Sequence, residues 1–128
     1  ILNTGWAKYY GTWDFFRHPY LSGDAALALV ELGIKIVGTD GSSADAAYGF
    51  STAKRLENPT FSEILENIER ENIKNEAHAA LLGNECLIVE YMCNLEQLPK
   101  EAATYSFLPL KLMEADGSPV RAICMISE

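Results

Sequence analysis

The sequence predicts an α/β fold in which helices pack on the strands of a mixed sheet. Two observations carry this expectation. Short apolar stretches at Ile1–Leu2 and Ile34–Thr39 bracket an apolar helical stretch, Gly23–Leu32, so strand, helix and strand lie in series. Further on, a short helix around His78 stops at Gly83 and gives way to a second extended apolar run, Cys86–Tyr91. Composition agrees with both: 48% hydrophobic and 22% charged residues over 128 positions is an ordinary globular balance, with enough chain for one core.

Each element has a local reason. Asn3-Thr4-Gly5 reads as a turn leading into Trp6–Phe16, which carries Trp6, Tyr9, Tyr10, Trp13, Phe15 and Phe16. That ring surface either packs a loop onto the core or forms the wall of an apolar pocket or an oligomer interface. Ser22 is placed to cap the following helix and Gly33 to stop it. Because AALALVEL is apolar almost all round, the helix is expected to be largely covered. The strand after it closes on Asp40-Gly41, where the aspartate is either a turn former or a residue that orients others.

From Gly41 to Pro59 the chain is rich in Gly, Ser, Ala, Asp and Asn and reads as a long loop. Thr60-x-x-Glu63 then forms a capping box for a helix running to about Ile73, whose acidic face reads as solvated surface. Near the end, Thr104–Met113 and Val120–Ile126 form a hairpin across the turn signal Glu114–Pro119, with Pro109 at an edge or bulge because it cannot donate to a ladder.

Charge excludes some functions. A formal net charge of −8 with pI near 4.7 and scattered Lys and Arg leaves no basic stripe for nucleic acid. No apolar run approaches the about 18–20 residues of a membrane helix, and the N-terminus lacks a signal-peptide layout. Cys86, Cys93 and Cys124 show neither metal-knuckle nor disulfide-framework spacing. Free thiols fit a reducing compartment, and the cellular compartment stays open.

Asn75–Leu95, NEAHAALLGNECLIVEYMCNL, holds the residues that most need explaining. His78 and Glu90 are a natural pair of metal-ligand types. A lone acid within Cys-Leu-Ile-Val-Glu-Tyr is costly to bury unless a cation or hydrogen-bond donors meet it. Yet a histidine beside Ala and Leu is ordinarily a core or surface residue, and an acid at a strand end ordinarily faces water. Spacing across a helix-to-strand connection does not fix distance in space.

Several segments resemble, in order, the Putative cyclase family, the metal-dependent hydrolases that include kynurenine formamidase and isatin hydrolase. They are Asn3-Thr4-Gly5-Trp6, His18-Pro19-Tyr20-Leu21-Ser22 with Asp24-Ala25-Ala26, and Ile36-Val37-Gly38-Thr39-Asp40. His78 with Leu81-Leu82 and Ile88-Val89-Glu90 with Asn94-Leu95 follow, then Leu108-Pro109-Leu110-Lys111-Leu112 and Ala115-Asp116-Gly117-Ser118-Pro119-Val120-Arg121-Ala122.

The resemblance implies a swivelling β/β/α domain of which residues 1–128 are the C-terminal portion, with a loop-plus-helix insertion over residues 41–75. It implies that His78 and Glu90 are metal ligands, that Asp40 lies near the metal as an orienting residue, and that the metal is zinc, or alternatively manganese. The implied function is hydrolysis of an amide or lactone by a metal-activated water. The family's His-x-x-x-His-x-Asp motif, which brings the remaining ligands and neighbours the catalytic histidine, does not occur here; His18 stands in a loop segment. The alternative is therefore a non-catalytic binding or structural protein derived from the family. Expected partners are a small-molecule substrate or apolar ligand, and a second copy or an N-terminal chain of the same domain.

Overall fold

The structure, a computed structural model, describes residues 1–47, 60 and 74–126. The chain divides into two units, Ile1–Leu95 and Glu96–Glu128. Helices and strands alternate in the first, and the second carries a hairpin, a mixture consistent with the expected α/β class. The helix predicted to end near Ile73 and most of the 41–75 insertion lie outside the described residues.

In the first unit, helix α1 spans Gly23–Glu31 and helix α2 spans Glu76–Leu82. Ser22 caps α1 as its sequence position predicts, its hydroxyl accepting the Ala25 N–H at 3.2 Å. Gly33, at φ 79°, turns the chain out of the helix in the left-handed conformation that glycine adopts without strain. The two helices cross on small residues: Ala26 and Ala77 are fully buried, and a Cβ on Gly23 would stand 2.9 Å from Glu76 Cβ. With so little side chain between them, the backbones approach closely.

Strands β1, Ile36–Gly38, and β2, Leu87–Val89, pair in parallel with Val37 opposite Ile88, and Leu2 adds a parallel bridge to Thr39. Ala26, Val37, Ala44, Ala77, Leu81 and Cys86 form the core between sheet and helices. Cys86 is buried, as a small hydrophobe should be, and its thiol lies 3.0 Å from the Ile34 carbonyl.

Two expectations need correction. Helix α1 is less covered than expected: Leu27 on it is 45% exposed and Leu32, its C-cap, 77%, while the face through Ala26, Leu29 and Val30 packs on the core. The run Cys86–Tyr91 is not one strand either. It ends at Val89, because Tyr91 adopts φ 57° and breaks the extended backbone. Glu90 thus stands just beyond a strand end, partly solvated, and not within a buried ladder.

The first stretch of aromatic sequence folds as two 3₁₀ turns, Trp6–Tyr9 and Trp13–Arg17. Phe15 is buried at their centre, ringed by Tyr10 at 5.4 Å, Tyr91 at 5.3 Å and Phe16 at 5.9 Å.

In the second unit, β3, Thr104–Pro109, pairs antiparallel with β4, Val120–Met125. The expected hairpin forms, with a shorter first strand. Pro109 occupies the last rung, and the next amide, Leu110 N–H, donates to Ser118 Oγ at 2.8 Å instead of extending the ladder. Tyr105 and Phe107 stack on one face at 6.4 Å with their planes 6° apart. No helix among the described residues is long and apolar enough to cross a membrane.

Candidate functional site

His78 and Glu90, far apart in the chain's local structure, meet beside the loop that follows β1. His78 lies in the first turns of α2, and Glu90 follows the last residue of β2. Parallel pairing of β2 with β1 brings Glu90 alongside residues 41–45, where its Oε1 accepts the Ala44 N–H at 3.0 Å. His78 Nε2 stands 3.4 Å from that same oxygen.

The other side of the imidazole is held by Asp45. His78 Nδ1 lies 2.7 Å from Asp45 Oδ2, which also accepts the His78 backbone N–H at 2.9 Å, while Oδ1 accepts the Ala77 N–H at 2.8 Å. A carboxylate only accepts, so Nδ1 carries a hydrogen and Nε2 is the ring nitrogen that faces Glu90. Asp45 is 3% exposed, and its burial is offset by these donors at the start of α2.

A cavity of about 310 Å³ opens here, lined by Phe16, Ser42, Ser43, Asn75, His78 and Glu90 among others. Two more, of about 440 and 350 Å³, lie against the aromatic cluster, and Tyr10, Phe15 and Tyr91 line both. Phe16 is common to the larger of these and to the His78–Glu90 cavity.

Asp40 faces the turn at the start of the chain. Its Oδ1 accepts Thr4 N–H at 3.1 Å and the Thr4 hydroxyl at 2.7 Å, and its Oδ2 accepts Trp6 N–H at 2.7 Å. Burial alone would raise its pKa, but the Thr4 and Trp6 donors outweigh it and hold the carboxyl below its ordinary value. Asp40 orients the Asn3–Trp6 turn; the residue that orients His78 is Asp45. The sequence offered one weak signal for Asp45, an acid in a Ser-rich loop, and no means of telling which of two nearby aspartates would reach the helix.

His18 is buried under the same loop. Its Nδ1 is 2.8 Å from the Pro19 carbonyl, and Gly41 packs so closely that a Cβ there would stand 2.7 Å from Nδ1. It is not brought to the His78–Glu90 pair by any described contact.

The pair passes a simple test for cation binding. Two donors each about 2.0–2.2 Å from a tetrahedral metal stand about 3.3–3.6 Å apart. The Nε2–Oε1 separation of 3.4 Å falls in this range and is too long for a good hydrogen bond. An imidazole whose far nitrogen is anchored on a carboxylate is also the usual arrangement behind a metal-ligating histidine. Among the described residues, no group of three or more His, Cys, Asp or Glu side chains is arranged to hold a metal ion by itself.

Comparison with known proteins places residues 1–46 in a match to the family model described as Putative cyclase. The match takes in Asp40 and Asp45, and His78 and Glu90 lie outside it. No solved structure matches the chain.

Proposed function

From that cyclase-family match as premise, we propose that the chain is the metal-holding portion of a hydrolase acting on an amide or lactone, folded as part of the family's swivelling β/β/α domain. The observation that carries this reading is the Asp45–His78–Glu90 line, with Nε2 and Oε1 3.4 Å apart at the edge of a cavity. His78 Nε2 and Glu90 would hold a divalent metal, zinc for preference given one imidazole and one carboxylate, with manganese as the alternative. Such a metal supplies Lewis-acid polarisation of the scissile carbonyl and a nucleophilic water near neutral pH.

The chain's own residues have defined tasks in this scheme. Asp45 fixes the imidazole tautomer and its ring plane. Ala44 N–H donates to Glu90 Oε1 and steadies the carboxylate. Phe16 closes one side of the cavity, and Ser42 and Ser43 offer hydroxyls to a polar substrate. Further ligands and the catalytic base would come from a polypeptide carrying His-x-x-x-His-x-Asp, and the exposed apolar residues Leu27, Leu32, Ile36 and Leu87 are suited to contact it or a second copy.

A second reading, a binding protein without catalysis, is favoured by the two-residue ligand set together with the aromatic-lined cavities. Native mass spectrometry of purified material, with metal content read from the intact species, separates the two. One divalent metal per assembly, together with a second polypeptide bearing the motif and turnover of formamides or lactones, supports the hydrolase. A metal-free species that stays metal-free in excess zinc overturns it in favour of the binding protein.

A further inference from the structure

Tyr91 is the one aromatic among the described non-glycine residues with positive φ, at 57°; the others are Glu85, Asn94 and Glu114. A bulky side chain there is a true outlier, sustained only where the surroundings dictate it. They do so here. Tyr91 N–H donates to the Gly41 carbonyl at 2.9 Å, and the next amide, Met92 N–H, donates to Thr39 at 3.0 Å, so the chain must turn sharply between Glu90 and Met92 to regain β1. Asn or Gly would make that turn without strain, as Asn94 does at φ 59°. The backbone therefore gives no reason for a tyrosine, and the reason lies with its ring.

That ring lines two cavities. One is the space of about 440 Å³ that Thr12, Trp13 and Phe16 also line; the other is the space of about 350 Å³ that Ala7, Met92 and Cys93 also line. Tyr91 packs 5.3 Å from Phe15 and edge-on to Tyr10 at 6.4 Å, and these three side chains line both spaces. Phe15 is a buried core residue, whereas Tyr91 is 50% exposed and can be removed without emptying the core. Its hydroxyl lies near Ser42, which lines the cavity holding His78 and Glu90.

We propose that Tyr91 is a specificity-determining wall: it closes the apolar pocket that adjoins the His78–Glu90 cavity and limits how long an uncharged apolar substituent of the ligand can be. The name given to this role rests on the reading of His78 and Glu90 as the reaction centre, but the wall itself does not require a metal. Cutting the side chain back joins the two spaces and deepens the pocket toward Met92 and Cys93.

The test uses phenol and 4-phenylphenol as probes, with one ring or two in line, titrated calorimetrically into the wild type, Tyr91→Ala and Tyr91→Gly, with and without zinc chloride. In the wild type the second ring adds less than threefold to affinity. In Tyr91→Ala 4-phenylphenol binds at least tenfold more tightly than phenol. An unchanged ratio of the two affinities, or binding of neither probe to any form, overturns the wall. Thermal melts check the backbone premise: Tyr91→Gly melts about 4 °C or more above Tyr91→Ala, because glycine relaxes at this φ and alanine does not. Equal melting temperatures overturn that premise. A ratio that shifts identically without zinc, in a protein that fails to bind zinc, leaves the wall standing and the metal reading fallen.

Discussion

Asp45 grips His78 twice, accepting both its backbone N–H at 2.9 Å and its ring Nδ1–H at 2.7 Å on the same oxygen. The start of helix α2 and the orientation of the imidazole are thus set by one carboxylate 33 residues away in the chain. Removing it should therefore damage two properties at once. Asp45→Ala leaves the Ala77 and His78 amides without their acceptor and should lower stability by about 1–3 kcal/mol, the combined scale of a lost cap and a lost charged hydrogen bond. It also frees the ring to rotate or change tautomer, and zinc affinity should fall about 10–100-fold. Chemical denaturation and a competitive zinc titration measure the two separately. A stability loss with unchanged zinc affinity would leave Asp45 a helix cap alone.

Glu90 separates charge from structure. Glu90→Gln keeps an oxygen for the Ala44 N–H, and the site is partly solvated, so stability should move by no more than about 0.5 kcal/mol. The amide is a poor metal ligand, and zinc should be lost from the purified protein. Metal content by elemental analysis, read beside His78→Ala, checks this. Retained metal in both variants would remove the pair from the ligand set.

How much of this was legible in the sequence depended on distance along the chain. Ser22 capping α1 and Gly33 ending it are decided within one turn, and each appears where its residue type points. His78 and Glu90 stood out because their side chains are of ligand type and because a resemblance singled them out. That they approach to 3.4 Å depends on the parallel pairing of Ile36–Gly38 with Leu87–Val89, which no local pattern encodes. Asp40 and Asp45 both stand in the turn-rich stretch after β1. Which one faces the Asn3–Trp6 turn and which faces α2 is fixed by the path of the loop, and the periodicity of neither flank reports it. The end of β2 is hidden from the sequence for a related reason: Glu-Tyr continues an extended pattern by composition, while the amide of Tyr91 is committed to Gly41.

Asp40 should give the first unit an acid-labile component. Its folded-state pKa lies below the ordinary value, so the folded form binds fewer protons than the unfolded one as pH falls. The stabilisation is fully present above about pH 4 and is lost as pH drops through the lowered folded value. Asp40→Asn should flatten this acid limb of the stability curve. It should also cost about 1–3 kcal/mol near neutrality, because an amide can present an oxygen to Thr4 or to Trp6 and not to both. Urea melts between pH 3 and 7 read both effects, and an acid limb equally steep in the variant would assign it to other carboxylates.

Gly41 tests whether the loop bearing Ala44 and Asp45 is held from beneath. A Cβ at this position would stand 2.7 Å from His18 Nδ1 and 2.9 Å from Cγ, both ring atoms of a side chain that is 4% exposed. The ring has little room to withdraw, since its Nδ1 is tied to the Pro19 carbonyl at 2.8 Å. Gly41→Ala should therefore cost about 1–3 kcal/mol as an overpacking change. The Gly41 carbonyl also receives the Tyr91 N–H, so displacement of this residue shifts the bend beside Glu90. Zinc affinity should fall in Gly41→Ala and recover in the double variant Gly41→Ala/His18→Ala, in which the clash is relieved. Titrating zinc into both variants decides it: a loss of affinity that the second substitution fails to restore would mean that His18 does not brace the loop from which Ala44 and Asp45 act.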